Sequence, residues 1–396
     1  MSWAVVLLLV ELFDELVFGV WTAAWPLIRT DLGLSYVQVG VLLSAPPILG
    51  NLLEPLLGLL GDARDRRLLV RAGGACFVAA LVLLAAGHGF PAALVAFLLL
   101  NPASGAFVGL SQAALMDLEP GRHVENMARW SLAGSMGVVA GPLVLTGMGV
   151  ADLGWRAAFG ALALLGGLVL ALGWRAPLGG GASGAGRAAG ASLRRVAAGA
   201  LDALKDRAVL RWATLLQFAD LTLDVLHGFL ALYFVDVAGG REAGAAFAIL
   251  VWTGAGLIGD ALLIPLLRRT DGTRWVRRSA MATLLLFPAF LLANDIGGKL
   301  AVLGALGLLS SGWYAILKGR LYGALPGRSA TVMAVSSAFG MAGAVLPLGV
   351  AVAAERWGLG AAMWLLMAGP VALLVGVPRT LRVDRPPPGI SGGVGR

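Results

Sequence analysis

Charged residues are few: they make up 13% of the 396-residue chain, where a soluble globular domain carries about 25%. That shortage excludes an ordinary solvated fold. Cysteine is rarer still. Cys76 stands alone, so there is no disulfide framework and no thiolate metal cluster. Catalytic signatures are missing too. There is no Gly-x-Ser-x-Gly elbow, no phosphate-binding Gly-Lys-Thr loop, no His-Glu-x-x-His and no Cys-x-x-Cys. The chain therefore reads as a non-enzyme with no cofactor, nucleotide or resident metal. The net charge of +8 is spread over short loops rather than gathered on one face, which excludes a nucleic-acid partner.

Hydrophobic residues are plentiful, at 59%, with a mean hydropathy of +0.85. Apolar runs fall at about 3–28, 37–60, 69–87, 90–116, 127–149, 155–174, 209–235, 242–267, 276–294, 297–317, 330–354 and 358–378, each near the ~20 residues that cross a bilayer as a helix. The first run begins at residue 3 without a basic leader, and is read as a retained helix rather than a signal peptide. The predicted fold is an all-α polytopic membrane protein, with twelve transmembrane helices in two six-helix bundles at 1–174 and 208–380. A Gly-rich cytoplasmic linker (175–207) joins them, and a tail follows at 381–396. Of the 30 Lys and Arg residues, only Arg29, Arg156, Arg241, Lys299 and Arg356 fall on one side of this topology. The excess on the other side predicts that both termini are cytoplasmic, in a multi-pass chain of the inner membrane, acting as a monomer in the lipid bilayer.

The halves repeat at an offset near 205. Pro120-Gly121-Arg122 follows the fourth run and Pro326-Gly327-Arg328 the tenth; Glu15 aligns with Asp220, and Asn51 with Asp260. Parallel repeats of this kind place a site near the midplane between them. At 58–67 the chain carries Gly58-Leu-Leu-Gly61-Asp62-Ala63-Arg64-Asp65-Arg66-Arg67. Here it resembles the major facilitator superfamily of transporters. Gly58, Asp62, Arg66 and Arg67 match that family's loop signature, while Ala63 and Asp65 depart from it. The resemblance implies that this loop clamps the two halves in the outward-facing state. A weaker echo runs from Arg268 to Arg278. Gly137, Gly141 and Pro142 resemble the family's antiporter motif, without the Gly pair that usually follows.

The first run holds three carboxylates, Glu11, Asp14 and Glu15, within one arc of a helix. Glu15 lies about 18 Å into a ~30 Å hydrocarbon core. Charges at that depth usually mark an ion, proton or substrate path. In the seventh run Asp220, Asp224 and His227, spaced i, i+4 and i+7, are predicted to share a face. With no cation at mid-depth, desolvation and mutual repulsion favour neutral acids that take up and release protons. Glu15 and Asp220 are the expected proton- or cation-coupling pair, facing each other across the halves. Asp14, Asp224 and His227 are expected nearby; His227 reads as a proton relay, a metal ligand or an interhelical hydrogen bond. Glu11, Asn51, Glu54, Asn101, Asp260, Trp313 and Tyr314 are candidate substrate-cavity residues. Trp21, Trp25, Trp252, Trp313 and Trp364 are candidate walls for an organic cation or membrane-interface anchors. The expected function is proton-coupled export, by alternating access, of a small hydrophobic or cationic compound. A metal-ion transporter with the same acidic cavity and a non-transporting receptor on the same fold are the alternatives.

Overall fold

The computed structural model describes residues 2–63, 66–118, 123–175, 198–267, 270–325 and 329–378. Among these residues the apolar runs form helices, the element that satisfies every backbone N–H and C=O within one segment in lipid. Eleven of them are long and apolar enough to cross a membrane. The first, Trp3–Leu32, is as long but carries its three carboxylates inside. It ends at Gly33, whose positive φ of 62° lets its amide close back on Arg29 and Thr30.

The spans are Trp3–Leu32, Tyr36–Ala63, Arg66–Ala86, Gly89–Leu118, His123–Val150 and Gly154–Gly173 in the first half. The second half holds Arg207–Asp236, Glu242–Leu267, Gly272–Leu292, Ile296–Ala324, Ser329–Trp357 and Leu359–Gly376. Span seven begins where the Asp206 carboxylate accepts the Ala208 amide at 2.7 Å, satisfying a donor that the helix leaves free. Most of the linker, 176–197, lies outside the described residues.

Several spans that read as continuous are interrupted. Span four has a π-helical segment at Gly105–Gly109 and span seven another at Leu221–Val225. Span ten breaks fully between Ser310 and Trp313, with Gly312 at φ 74°. The interruptions in spans four and ten stand at matching repeat positions. So do two close approaches: a side chain on Gly50 would overlap Asn101, and one on Gly259 would stand 2.5 Å from Ser311 Oγ.

Within the first half, span one packs along span five at backbone range. A Cβ on Gly141 would overlap Gly19, and one on Gly137 would overlap the Leu12 carbonyl oxygen. Small residues permit this approach. The halves meet along spans one and seven, two and eleven, and five and eight. Where the turns after spans one and seven lie, polar groups tie them together. Arg29 Nη1 reaches Asp236 Oδ2 at 2.6 Å, and the Tyr36 hydroxyl donates to the same oxygen at 2.8 Å. The Tyr36 amide donates to Glu355 at 2.9 Å, and the Leu348 amide to Ser44 Oγ at 3.0 Å.

Candidate functional site: an acid-lined path between the halves

Span one brings Asp14, Glu15, Phe18 and Trp21 to the interface between the halves. They line a cavity of about 350 Å³ with Phe97, Asn101 and Ser104 of the first half and Asp224 of the second. Ser104 Oγ donates to Asp14 Oδ2 at 3.0 Å, and Ser104 is placed there by the turn that precedes the π-segment of span four. A second cavity, about 400 Å³, shares Trp21, Asn101 and Asp224 with the first and adds Asn51, Gln217 and Asp220. A third, about 260 Å³, continues from Asn51, Gln217 and Asp220 to Tyr314, Lys318 and Ser336. Lys318 Nζ donates to Ser336 Oγ at 2.8 Å. Glu15, Asp224 and Asp220 thus lie in succession along adjoining spaces.

Glu15 therefore shares its cavity with Asp224 rather than with the repeat-related Asp220. The cause is the π-helical turn at Leu221–Val225, which carries extra backbone per turn and shifts the register of everything beyond it. It also separates His227 from the two aspartates. His227 is 6% exposed and lines a different chamber, of about 540 Å³, with Phe18, Trp252, Thr253, Asp260, Ser311 and Tyr314. The Phe18 ring stands edge-on to His227, with centroids 5.4 Å apart, so Phe18 is the wall between that chamber and the acid-lined cavities. Among the described residues no group of three or more His, Cys, Asp or Glu side chains is placed to hold a metal ion.

Other expected residues sit elsewhere. Glu11 is buried against span five, where a Cβ on Gly134 would stand 2.7 Å from Glu11 Oε1. It lines none of these cavities. Trp313 is not a cavity residue: it is fully buried and donates from Nε1 to Ser279 Oγ at 2.7 Å. Trp25 is likewise core, stacked on Phe97 at 5.7 Å. Trp364 is exposed, while Trp21 and Trp252 do line cavities. Sequence reasoning missed Gln217, Phe18 and Ser336. A glutamine in an apolar span was the available signal for the first; nothing in the composition marks out Phe18 or Ser336.

In the loop after span two, the side chains of Glu54, Gly58 and Asp62 lie outside the described residues, Arg66 is buried and Arg67 exposed. Its second-half counterpart is better defined. Asp271 accepts from Arg320 Nη2 at 2.6 Å and from Thr273. Partial burial opposes ionisation of Asp271, but the Thr273 hydrogen bond and the Arg320 charge outweigh it and hold the carboxyl below its ordinary range.

Two repeated six-span bundles around acid-lined spaces define the class: a membrane transporter with its site between the halves. The chain belongs to the Major Facilitator Superfamily, whose profile matches residues 7–346. Among solved structures it is similar to a bacterial homologue of the human lysosomal transporter Spinster in an inward-facing, occupied conformation. That match has a TM-score of 0.71 and 14% identity, covering 94% of this chain and 93% of that one. It is also similar to the nucleoside transporter NupG, with a TM-score of 0.74 and 13% identity over 95% and 98%. Among curated proteins it resembles the fosmidomycin resistance protein of Escherichia coli (strain K12), at 26% identity over 149 residues. That alignment spans 37% of either chain.

Proposed function

We propose that this protein is a proton-coupled secondary transporter that exports a small hydrophobic or cationic compound in exchange for protons. It works as a monomer in the inner membrane, with both termini and the linker in the cytoplasm. The observation that carries this reading is the succession Glu15, Asp224, Asp220 along adjoining cavities at the interface of the halves. Carboxyl groups held away from bulk water exchange protons at accessible pH, and a step that alters which side they face couples that exchange to alternating access. Export is supported by the name of the curated relative, a resistance protein. With the basic loops inside, the Arg29–Asp236 end faces outward, so the polar ties there close the outer side in this state.

The test is flux in liposomes holding the purified chain. Glu15→Gln keeps the shape of the side chain but cannot release a proton. It is expected to fold normally and to lose uphill transport driven by a pH gradient. Uphill movement at the wild-type rate would defeat the proposal.

A further inference from the structure

The 540 Å³ chamber beyond Phe18 takes no part in the acid path, yet it adjoins the break in span ten. Gly312 holds φ 74° there, a backbone conformation that glycine adopts without steric cost. Asp260 Oδ1 accepts the Gly312 amide at 3.0 Å, so a carboxylate sits at the start of Trp313–Ala324, where a helix favours negative charge. That bond engages Oδ1, and the exposed side chain leaves Oδ2 to the chamber. Asp260 is the single carboxylate among the lining residues. Phe18 and Trp252 offer aromatic faces, and His227 has Nε2 buried without a hydrogen-bond partner. Interrupted helices in transporters place backbone polar groups where they serve a ligand.

We propose that this chamber binds the transported compound as an amphipathic organic monocation, with its charge on Asp260 and its apolar body against Trp252 and Phe18. Pairing with the cation draws Asp260 off the Gly312 amide, so that binding loosens the break in span ten. The inference rests on the exporter reading above, but it assigns substrate to residues separate from Glu15, Asp224 and Asp220. A single carboxylate matches a single positive charge, and aromatic faces add cation–π attraction.

The experiment uses the full chain in lipid nanodiscs, with tetraphenylphosphonium as the probe in calorimetric titration. Asp260→Asn keeps an oxygen for the Gly312 amide and removes the charge. It is expected to weaken binding at least about tenfold, while Glu15→Gln binds within about threefold of wild type. In parallel, hydrogen exchange at the Gly312–Tyr314 amides is expected to quicken when the probe binds wild type. Undiminished binding by Asp260→Asn, or no binding by a wild-type chain that still transports under a pH gradient, overturns the chamber assignment and leaves the coupling path standing. Loss of binding in Asp260→Asn alone, with no gradient-driven flux in wild type, upholds the chamber and removes the coupling path. Unchanged exchange on binding overturns the link to span ten.

Discussion

Gly141 and Gly19 meet where spans one and five run together, and neither position has room for a methyl group. Gly141→Ala is therefore expected to cost ~1–3 kcal/mol through overpacking. Gly147→Ala has nothing within 4 Å of the added atom and is expected to be neutral, or stabilising by ~0.5–1 kcal/mol through helix propensity. Thermal unfolding of the two variants in detergent measures the contrast, and equal melting temperatures would show that the spans separate without cost. Residues of this kind were legible in the sequence. Glycines at small-residue spacing stand out, and so do Asp14, Glu15, Asp220 and Asp224 against 59% hydrophobic residues. Partnership was harder to read. Which acid meets Glu15, and whether Trp313 faces a cavity or the core, depend on rotations that the residue types do not encode.

Those rotations arise in the elements. Hydropathy gave the number and approximate limits of the spans, because a bilayer imposes one length on every helix. It did not reveal the π-helical segments at Gly105–Gly109 and Leu221–Val225, or the break at Ser311–Gly312, since an interrupted helix is as apolar as a regular one. Counting i, i+4 and i+7 through Leu221–Val225 put His227 beside Asp220, and the altered turn moved it into the chamber of Asp260. In span ten the break sets Trp313 into the core, bonded to Ser279, and leaves Tyr314 on the cavity side. Trp313→Phe removes that hydrogen bond and some volume. It is expected to lower stability by ~1–3 kcal/mol with ligand affinity unaltered. Melting and titration on one preparation separate the two effects; weakened binding at unchanged stability would return Trp313 to the cavity wall.

For the whole molecule, alternating access requires that the polar ties at one end be strong enough to close it and weak enough to release. Asp236 is the centre of those ties, accepting from Arg29 at 2.6 Å and from Tyr36 at 2.8 Å across the two halves. The Arg29 and Asp236 side chains are 27% and 24% exposed, so solvent screens the pair and its worth is modest, on the order of 1 kcal/mol. An equilibrium between two global states responds to that much by about fivefold. Asp236→Asn is therefore expected to move the population by about that factor toward the state open at this end, without unfolding either bundle. Spin labels on the exposed positions Thr30 and Arg241, in a chain with Cys76 replaced by Ala, report the separation of the halves there by pulsed electron–electron resonance. The longer-distance population should grow in Asp236→Asn and grow again in the double variant with Tyr36→Phe, which removes the hydroxyl that shares the same oxygen. If Asp236→Asn leaves the distance distribution unchanged, closure at this end is carried by the apolar packing of spans two and eleven, where Gly40 meets Ala351, and the ion pair only decorates it.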